Sequence, residues 1–313
     1  MPKITRPTKP LADVSLPNPD KNADNEVVIC FQPDRNTIWG NPEANANAVL
    51  ALDASRSIKR MFGTTGVFGG GEPNYVEMVS RKVGEILCDV TKKGDVSMLY
   101  WALGPGGENL EDIGSFERDE CETCDISGPN SGAWGTGTKI LPPIKKIVEE
   151  HFDVAEATMG VIVTDGIIED EKEAMDYCLK LGKRLIDEGK TESFKLVLIG
   201  VGEEVDEGQL ERFDDMFEDD DDFEGDEIDI WAHGVAAHMK DEADILDVLF
   251  GEMMSEDTII ADSGSVLDSS GNEIKSFSDG LPGKFRFVLP KGESSFTIHT
   301  PGGEVTQDVS ELF

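Results

Sequence analysis

Three short runs place oxygen-bearing side chains where chemistry is expected of them. VLALDASRS ends an apolar run with Asp53, Ser55 and Ser57, VIVTDG ends another with Asp165, and Gly135-Thr136-Gly137-Thr138 lies directly before a helical pattern. Carboxylates and hydroxyls are hard donors that suit Mg²⁺, Mn²⁺ or Ca²⁺ better than Zn²⁺. Two carboxylates and three hydroxyls make an incomplete coordination shell. In a straight strand, residues four apart are separated by about 13 Å, whereas octahedral Mg²⁺ needs its oxygens at about 2.1 Å. Asp53, Ser55 and Ser57 can therefore share one ion only if the chain curls after Asp53. Each run has a plainer reading: Asp-x-Ser-x-Ser caps helices, and Thr-Asp-Gly makes turns. Their order, each at a strand end or before a helix, makes the combination more specific than its parts.

The elements that must position these runs follow two alternating periods. Continuous apolar segments at Ala48 to Leu52, Val96 to Leu103, Met159 to Thr164 and Phe194 to Val201 read as strands, with shorter ones at Glu26 to Phe31 and Ile228 to Ala232. Between them, Tyr75 to Val90, Ile140 to Phe152, Glu171 to Glu188 and Gln209 to Phe217 read as helices, followed by a last one over Asp241 to Met254. Pro142 and Pro143 fit the second helix only in its first turn. Buried strands alternating with amphipathic helices predict an α/β domain over residues 26–254: a doubly wound, mostly parallel sheet with helices on both faces. In such sheets, ligands bind beyond the carboxyl ends of the strands.

Residues 1–25 lack an apolar period and predict a mobile tail. After Ser255, short β-type segments separated by Pro-Gly and Pro-Gly-Gly turns predict a small antiparallel β module over 255–313.

The charge balance narrows the partners. With 64 acids against 28 bases the chain carries −36, which disfavours nucleic acid and anionic membranes, since both are bound by neutralising phosphates with Lys and Arg. No apolar run approaches the roughly 20 residues of a membrane span, and the basic N-terminus has no apolar run behind it, so a cytoplasmic protein is expected. The five cysteines are scattered and odd in number, which fits reduced thiols.

Asp53-Ala-Ser55-Arg-Ser57, Thr138 before a helix and Thr164-Asp165-Gly166 resemble the metal-ion-dependent adhesion site of the von Willebrand factor A (VWA) family. Ile144, six positions after Thr138, matches the family pattern and favours Thr138 over Thr136. The resemblance covers residues 44–254. It implies a six-stranded sheet with one divalent cation at its top, bound directly or through water by Asp53, Ser55, Ser57, Thr138 and Asp165. The open position would take an Asp or Glu carboxylate from a partner protein. The intracellular bacterial branch associated with tellurium resistance and stress response is similar in general character. Two stretches depart from the family's compactness: the glycine-rich residues 62–74 and a long loop from Asn109 to Ala133.

Other motifs have competing readings. Cys121-Glu-Thr-Cys124 has half the spacing of a zinc site but no second half. Gly132 to Lys139 nearly spells a phosphate-binding loop, with the lysine misplaced after the hydroxyl residue. His151, His233, His238 and His299 are scattered, without a nucleophile elbow. Trp39, Trp101 and Trp231 read as core or loop anchors, and Trp134 as a possible partner contact beside the metal loop. Residues 211–229 hold twelve acids and one base and read as a solvated loop, or as a cation or partner site. The sequence thus supports a non-enzymatic adhesion module first. The alternatives are a metal-dependent phosphoester hydrolase at the same residues, and a structural ion capped by an acid of the acidic run or the C-terminal module.

Overall fold

The computed structural model describes residues 3–4, 7–63, 73–130, 132–202, 205–218, 223, 228–236, 249–250, 253–254 and 258–313. The chain divides into a central unit, Trp39–Leu249, and a terminal unit formed by Met1–Ile38 with Phe250–Phe313.

The strands of the central unit are β1 (Ala46–Asp53), β2 (Asp95–Leu103), β3 (Asn109–Glu117), β4 (Ala157–Thr164), β5 (Phe194–Val201) and β6 (Trp231–Ala236). They form one sheet in the order β3-β2-β1-β4-β5-β6. Only the β2–β3 pair is antiparallel. Every residue of β4 is buried, as are the last six of β1 and β5, which explains their unbroken apolar sequences. From β1 the chain moves outward to β2 and β3, then returns to the other side of β1 as β4. The β1–β4 boundary is thus where the strand order reverses, the place at which open sheets leave a crevice beyond their carboxyl ends.

The longer helices are α1 (Tyr75–Asp89), α2 (Leu141–Lys146), α3 (Glu171–Glu188) and α4 (Glu207–Asp214). Helix α1 is capped by Asn74, whose side chain accepts from Glu77 N at 2.9 Å, and it meets Val96 and Met98 at Gly84. The alternate residues Leu99 and Trp101 instead cluster with Ile140, Ile144, Leu181 and Leu185, contributed by α2, α3 and the residue before α2. Neighbouring residues of a strand point to opposite faces, so the two sets of helices divide the side chains of β2 between them. Pro142 and Pro143 lie at the start of α2, where a missing N–H costs nothing. A π-helical turn, Ile147–Phe152, continues α2.

Several expectations change. Asn109–Glu117 is an edge strand rather than part of a loop. It is partly or fully exposed along its whole length, so it carries no apolar run to announce it. The acidic run opens inside the helix expected over Gln209 to Phe217, seen as α4 and the 3₁₀ turn after it, where Phe213, Met216 and Phe217 recur at helical spacing and are buried. Its remaining residues, apart from Phe223, Ile228 and Asp229, lie outside the described set. So do most of the expected last helix, 241–254, and most of the glycine-rich segment 62–74.

In the terminal unit, Lys3–Ile4, Leu11–Leu16, Asn25–Phe31 and Lys284–Leu289 form a four-stranded antiparallel sheet. Gly264–Leu267, Glu273–Phe277, Ser295–Thr300 and Gly303–Asp308 form a second one. Ile259–Ala261 pairs with Leu281–Pro282. The β module is therefore larger than residues 255–313, and the expected tail and the strand at Glu26 to Phe31 belong to it rather than to the α/β domain. A register shift between Leu11 and Asp13 hides the first of these strands in the sequence. A bulge breaks the two-residue period, so Leu11 and Val14 are both buried although three positions apart.

No described helix is long and apolar enough to cross a membrane.

Candidate metal centre

At the end of β1 the chain leaves the sheet in a tight curl. Asp53 accepts the Ser55 N–H on Oδ1 at 2.7 Å, Ala54 N donates to Trp101 O at 2.9 Å, and Arg56 N donates to Gly135 O at 3.0 Å. Ser57 stands directly before the short 3₁₀ turn Ile58–Phe62 without a side-chain bond to it. The curl required for Asp53, Ser55 and Ser57 to face one point is therefore present, built by an Asx turn and by bonds to two neighbouring segments.

The loop carrying Thr138 is fastened backbone to backbone. Gly135 N donates to Ala54 O at 3.0 Å. A side-chain carbon at Gly135 would lie 1.7 Å from the Ala102 carbonyl oxygen, so only glycine fits. Ala102 itself holds φ at 58°, a left-handed conformation that costs energy for a residue with a side chain. After the loop, the Asp170 carboxylate accepts from the N–H groups of Ile140 at 2.7 Å and Leu141 at 3.0 Å. These N–H groups at the start of α2 have no partner inside the helix. Glu169 N donates to Thr138 O at 2.8 Å.

Four side chains from two segments converge. Ser57 Oγ donates to Asp165 Oδ1 at 2.8 Å, Ser55 Oγ lies 3.4 Å from the same oxygen, and the two serine hydroxyls are 2.9 Å apart. A carbon placed on Gly166 would stand 3.5 Å from Thr138 Oγ1 and 4.0 Å from Ser57 Oγ, so both hydroxyls border Gly166, the residue after Asp165. Asp53 is linked to the cluster through Ser55 and by accepting the Thr164 hydroxyl on Oδ2 at 2.8 Å. Thr136 points elsewhere: it is exposed and its hydroxyl donates to Pro105 O. Asp53, Ser55, Thr138 and Asp165 are buried, and Ser57 is exposed.

Burial pushes the Asp53 carboxyl above its ordinary range, opposed by the Ser55 N–H, the Thr164 hydroxyl and the Asp165 N–H. A fully buried carboxylate surrounded by dipoles is costly unless a cation joins it. The donor set, two carboxylates and three hydroxyls, fits a hard divalent cation. Among the described residues, no group of three or more His, Cys, Asp and Glu side chains is placed to hold a metal ion.

Sequence reasoning missed the supports. Asp170 stands before α3, where an aspartate ordinarily caps its own helix, but its side chain makes no such bond and reaches α2 instead. Thr164 ends an expected strand and opens the Thr-Asp-Gly motif, but its role in holding Asp53 depends on the β1–β4 pairing.

The remaining motifs resolve differently. All five cysteines are buried. Cys121 Sγ lies 3.9 Å from Cys88 Sγ, while Cys124 Sγ contacts Cys121 O, so the pair serves packing beside α1. Lys139 of the phosphate-loop look-alike pairs with Glu108. Trp101 is core and donates to Val163 O at 3.2 Å, and Trp134, half-buried, packs edge-on against Phe62 at 5.0 Å. His233 pairs with Asp214 at 3.0 Å, on α4 and β6.

No family model and no curated protein matches the sequence. Among solved structures, the chain is similar to the human COPII-coat protein Sec24c, at 8% identity and a TM-score of 0.36 over 91% of this chain and 46% of that one. It is also similar to the pilus adhesin RrgA from Streptococcus pneumoniae, at 8% identity and a TM-score of 0.37 over 96% of this chain and 65% of that one. The chain thus spans less than two thirds of the length of each of these chains.

Proposed function

We propose that the central unit is a doubly wound, VWA-type module that binds one Mg²⁺, or Mn²⁺ or Ca²⁺, and through it a carboxylate of a partner protein. The observation that carries this reading is the meeting of the Ser55 and Ser57 hydroxyls at Asp165, with Thr138 Oγ1 bordering Gly166 and the buried Asp53 holding the Ser55 N–H, at the reversal of strand order. Asp165 and the three hydroxyls would hold the ion, and Asp53 would hold it directly or through water while fixing the Ser55 backbone. A divalent ion bound by two carboxylates and neutral hydroxyls keeps residual positive charge, which attracts an incoming carboxylate. The output is binding, consistent with a scaffold or assembly role.

The test is a Mn²⁺ titration of wild type and Asp165→Ala, with circular dichroism as the check on folding. Saturable binding by the wild type that the folded variant lacks supports the site; equal affinity in the two rejects it. Partner capture that a chelator releases supports adhesion. Turnover of p-nitrophenyl phosphate that requires both metal and Asp165 would replace it with phosphoester hydrolysis.

A further inference from the structure

Three of the thiols that pack beside α1 are also placed to react. They gather where α1 meets the short helical turn Arg118–Cys121 that follows β3. Cys88 Sγ and Cys121 Sγ stand 3.9 Å apart, and both face Phe116 O, at 3.6 Å and 3.9 Å. Gly84, one turn before Cys88, leaves room for the second sulfur: a carbon placed there would lie 3.1 Å from Cys121 Sγ. Groups other than the thiols hold this meeting in place. Arg118 pairs with Asp89 and donates to Glu85 O at 3.1 Å. Arg81 donates to Cys124 O from Nε at 2.9 Å and from Nη2 at 2.6 Å, Asn74 Nδ2 donates to Ile126 O at 2.7 Å, and Ile126 N donates to Glu77 Oε2 at 3.0 Å. The stretch from Arg118 to Ile126 is thus tied along α1. A disulfide needs its sulfurs at about 2.05 Å, and the remaining gap is within the sweep of two side-chain rotations. The Cys-x-x-Cys spacing points to Cys121 with Cys124, but Cys124 Sγ turns to Cys121 O at 3.4 Å. The Cys88 thiol donates to Cys121 and so holds Cys121 below the ordinary thiol range, against burial, with Arg118 also favouring its ionised form; the same bond, and burial, push Cys88 up. Cys121 is therefore the nucleophile of the couple and Cys88 the thiol that resolves it.

We propose that Cys88 and Cys121 are an oxidation site that a peroxide converts reversibly to a disulfide, fastening α1 to the turn after β3. The Cys121 thiolate attacks one peroxide oxygen and the O–O bond breaks. Its sulfur becomes a sulfenic acid, and the departing hydroxide takes up the proton that Cys121 gave up on ionising. The Cys88 sulfur then attacks the sulfenic sulfur: the S–S bond forms, the S–O bond breaks, and the leaving hydroxide takes the Cys88 proton. Two thiols and one hydrogen peroxide thus give one disulfide and two waters. A dithiol restores both thiols by exchange. Glu120, Glu122 and Thr123, which flank Cys121, are exposed, so a peroxide reaches the pair across this turn. The site is independent of the cation reading above and stands or falls without it.

The experiment treats the full chain, reduced and freed of reductant, with a small molar excess of hydrogen peroxide. Remaining thiols are then alkylated in urea, and the chain is digested with trypsin for mass spectrometry. The expected product joins the peptide 83–92, through Cys88, to the peptide 119–139, through Cys121, with Cys30, Cys124 and Cys178 alkylated. Dithiothreitol should remove the link. The oxidised chain should melt about 5 °C or more above the reduced one, because a bond joining residues 33 positions apart restricts the unfolded chain. Cys124→Ser should leave the link intact, and Cys88→Ser should leave a sulfenic acid on Cys121 that dimedone captures. A bond between Cys121 and Cys124, further oxidation of Cys121 without a link, no reaction, a link formed equally well in urea, or a link that leaves the melt unchanged overturns the inference. The mapping uses the wild-type chain, so it decides the matter even where a variant fails to fold.

Discussion

Ser57 and Asp165 are separated by 108 positions in the chain, yet the serine hydroxyl donates to the aspartate Oδ1 at 2.8 Å. The bond joins the curl after β1 to the end of β4, the two strands between which the chain order reverses. It bears directly on whether the site binds a cation, because bound metal would compete with the hydroxyl proton for the same carboxylate oxygen.

Asp53→Asn separates charge from shape. The amide keeps a carbonyl for the Ser55 N–H, and the Thr164 hydroxyl can turn to accept. Because burial already disfavours the ionised form, the metal-free variant should melt within about 4 °C of wild type, equivalent to about 1 kcal/mol in a domain of this size. Mg²⁺ at a hundredfold excess over its Kd should stabilise wild type by about 2.7 kcal/mol and the variant by far less. Thermal melts with and without Mg²⁺ check this, and a full Mg²⁺ shift in the variant contradicts a role for Asp53.

The two threonines of the loop should differ sharply. Thr138→Ala removes a buried hydroxyl that faces the cluster and should weaken Mn²⁺ affinity about tenfold or more, at least the effect typical of groups one step removed from a metal. Thr136→Ala removes a hydroxyl bonded to Pro105 O and should leave affinity within about twofold. Calorimetric titration of both variants decides, and equal losses would mean that the loop is not arranged around Thr138.

Gly135→Ala should be costly out of proportion to its size. The added methyl would meet the Ala102 carbonyl oxygen at 1.7 Å, and a backbone atom in a left-handed residue has little freedom to retreat. The expected loss is about 1–3 kcal/mol in urea unfolding. Cation affinity should fall as well, because the bonds between residues 54–56 and Gly135 hold the two loops together. A variant with wild-type stability would remove the close approach as the reason for glycine.

The acid limb of the stability curve should contain a contribution from Glu171. Its hydrogen bond to Arg212, aided by Gln209, holds its carboxyl below the usual range. A depressed folded value means that the contribution is complete above the unfolded pKa of about 4.3 and disappears as pH falls through the folded one. With Arg212 about half exposed, the advantage of wild type over Glu171→Gln should be about 0.5–1 kcal/mol at neutral pH. Urea midpoints at neutral and acid pH check the sign, since a gap that widens in acid would contradict it.

Much of the central unit could be read before any coordinates. Phe194–Val201 and Glu171–Glu188 have the expected bounds because their patterns reflect the environment of each element in full: buried on every side for the strand, on one side for the helix. Wherever burial is partial or the period is interrupted, the reading failed. Asn109–Glu117 is an exposed edge, and Leu11–Leu16 is broken by a bulge and finds its sheet with residues from the far end of the chain.

The sequence by itself determined the donor chemistry: which residues carry hard oxygen, that they follow buried strands, and that the chain must curl after Asp53. Folding decided which of them meet. Pairing β1 with β4 brings Thr164 to Asp53 and Asp165 to the serines, and the contact of Gly135 with Ala102 turns Thr138 inward and leaves Thr136 outside. Local pattern encodes what each segment can bury, but convergence is a property of strand order, and the deciding pair here, β1 with β4, joins segments more than a hundred residues apart.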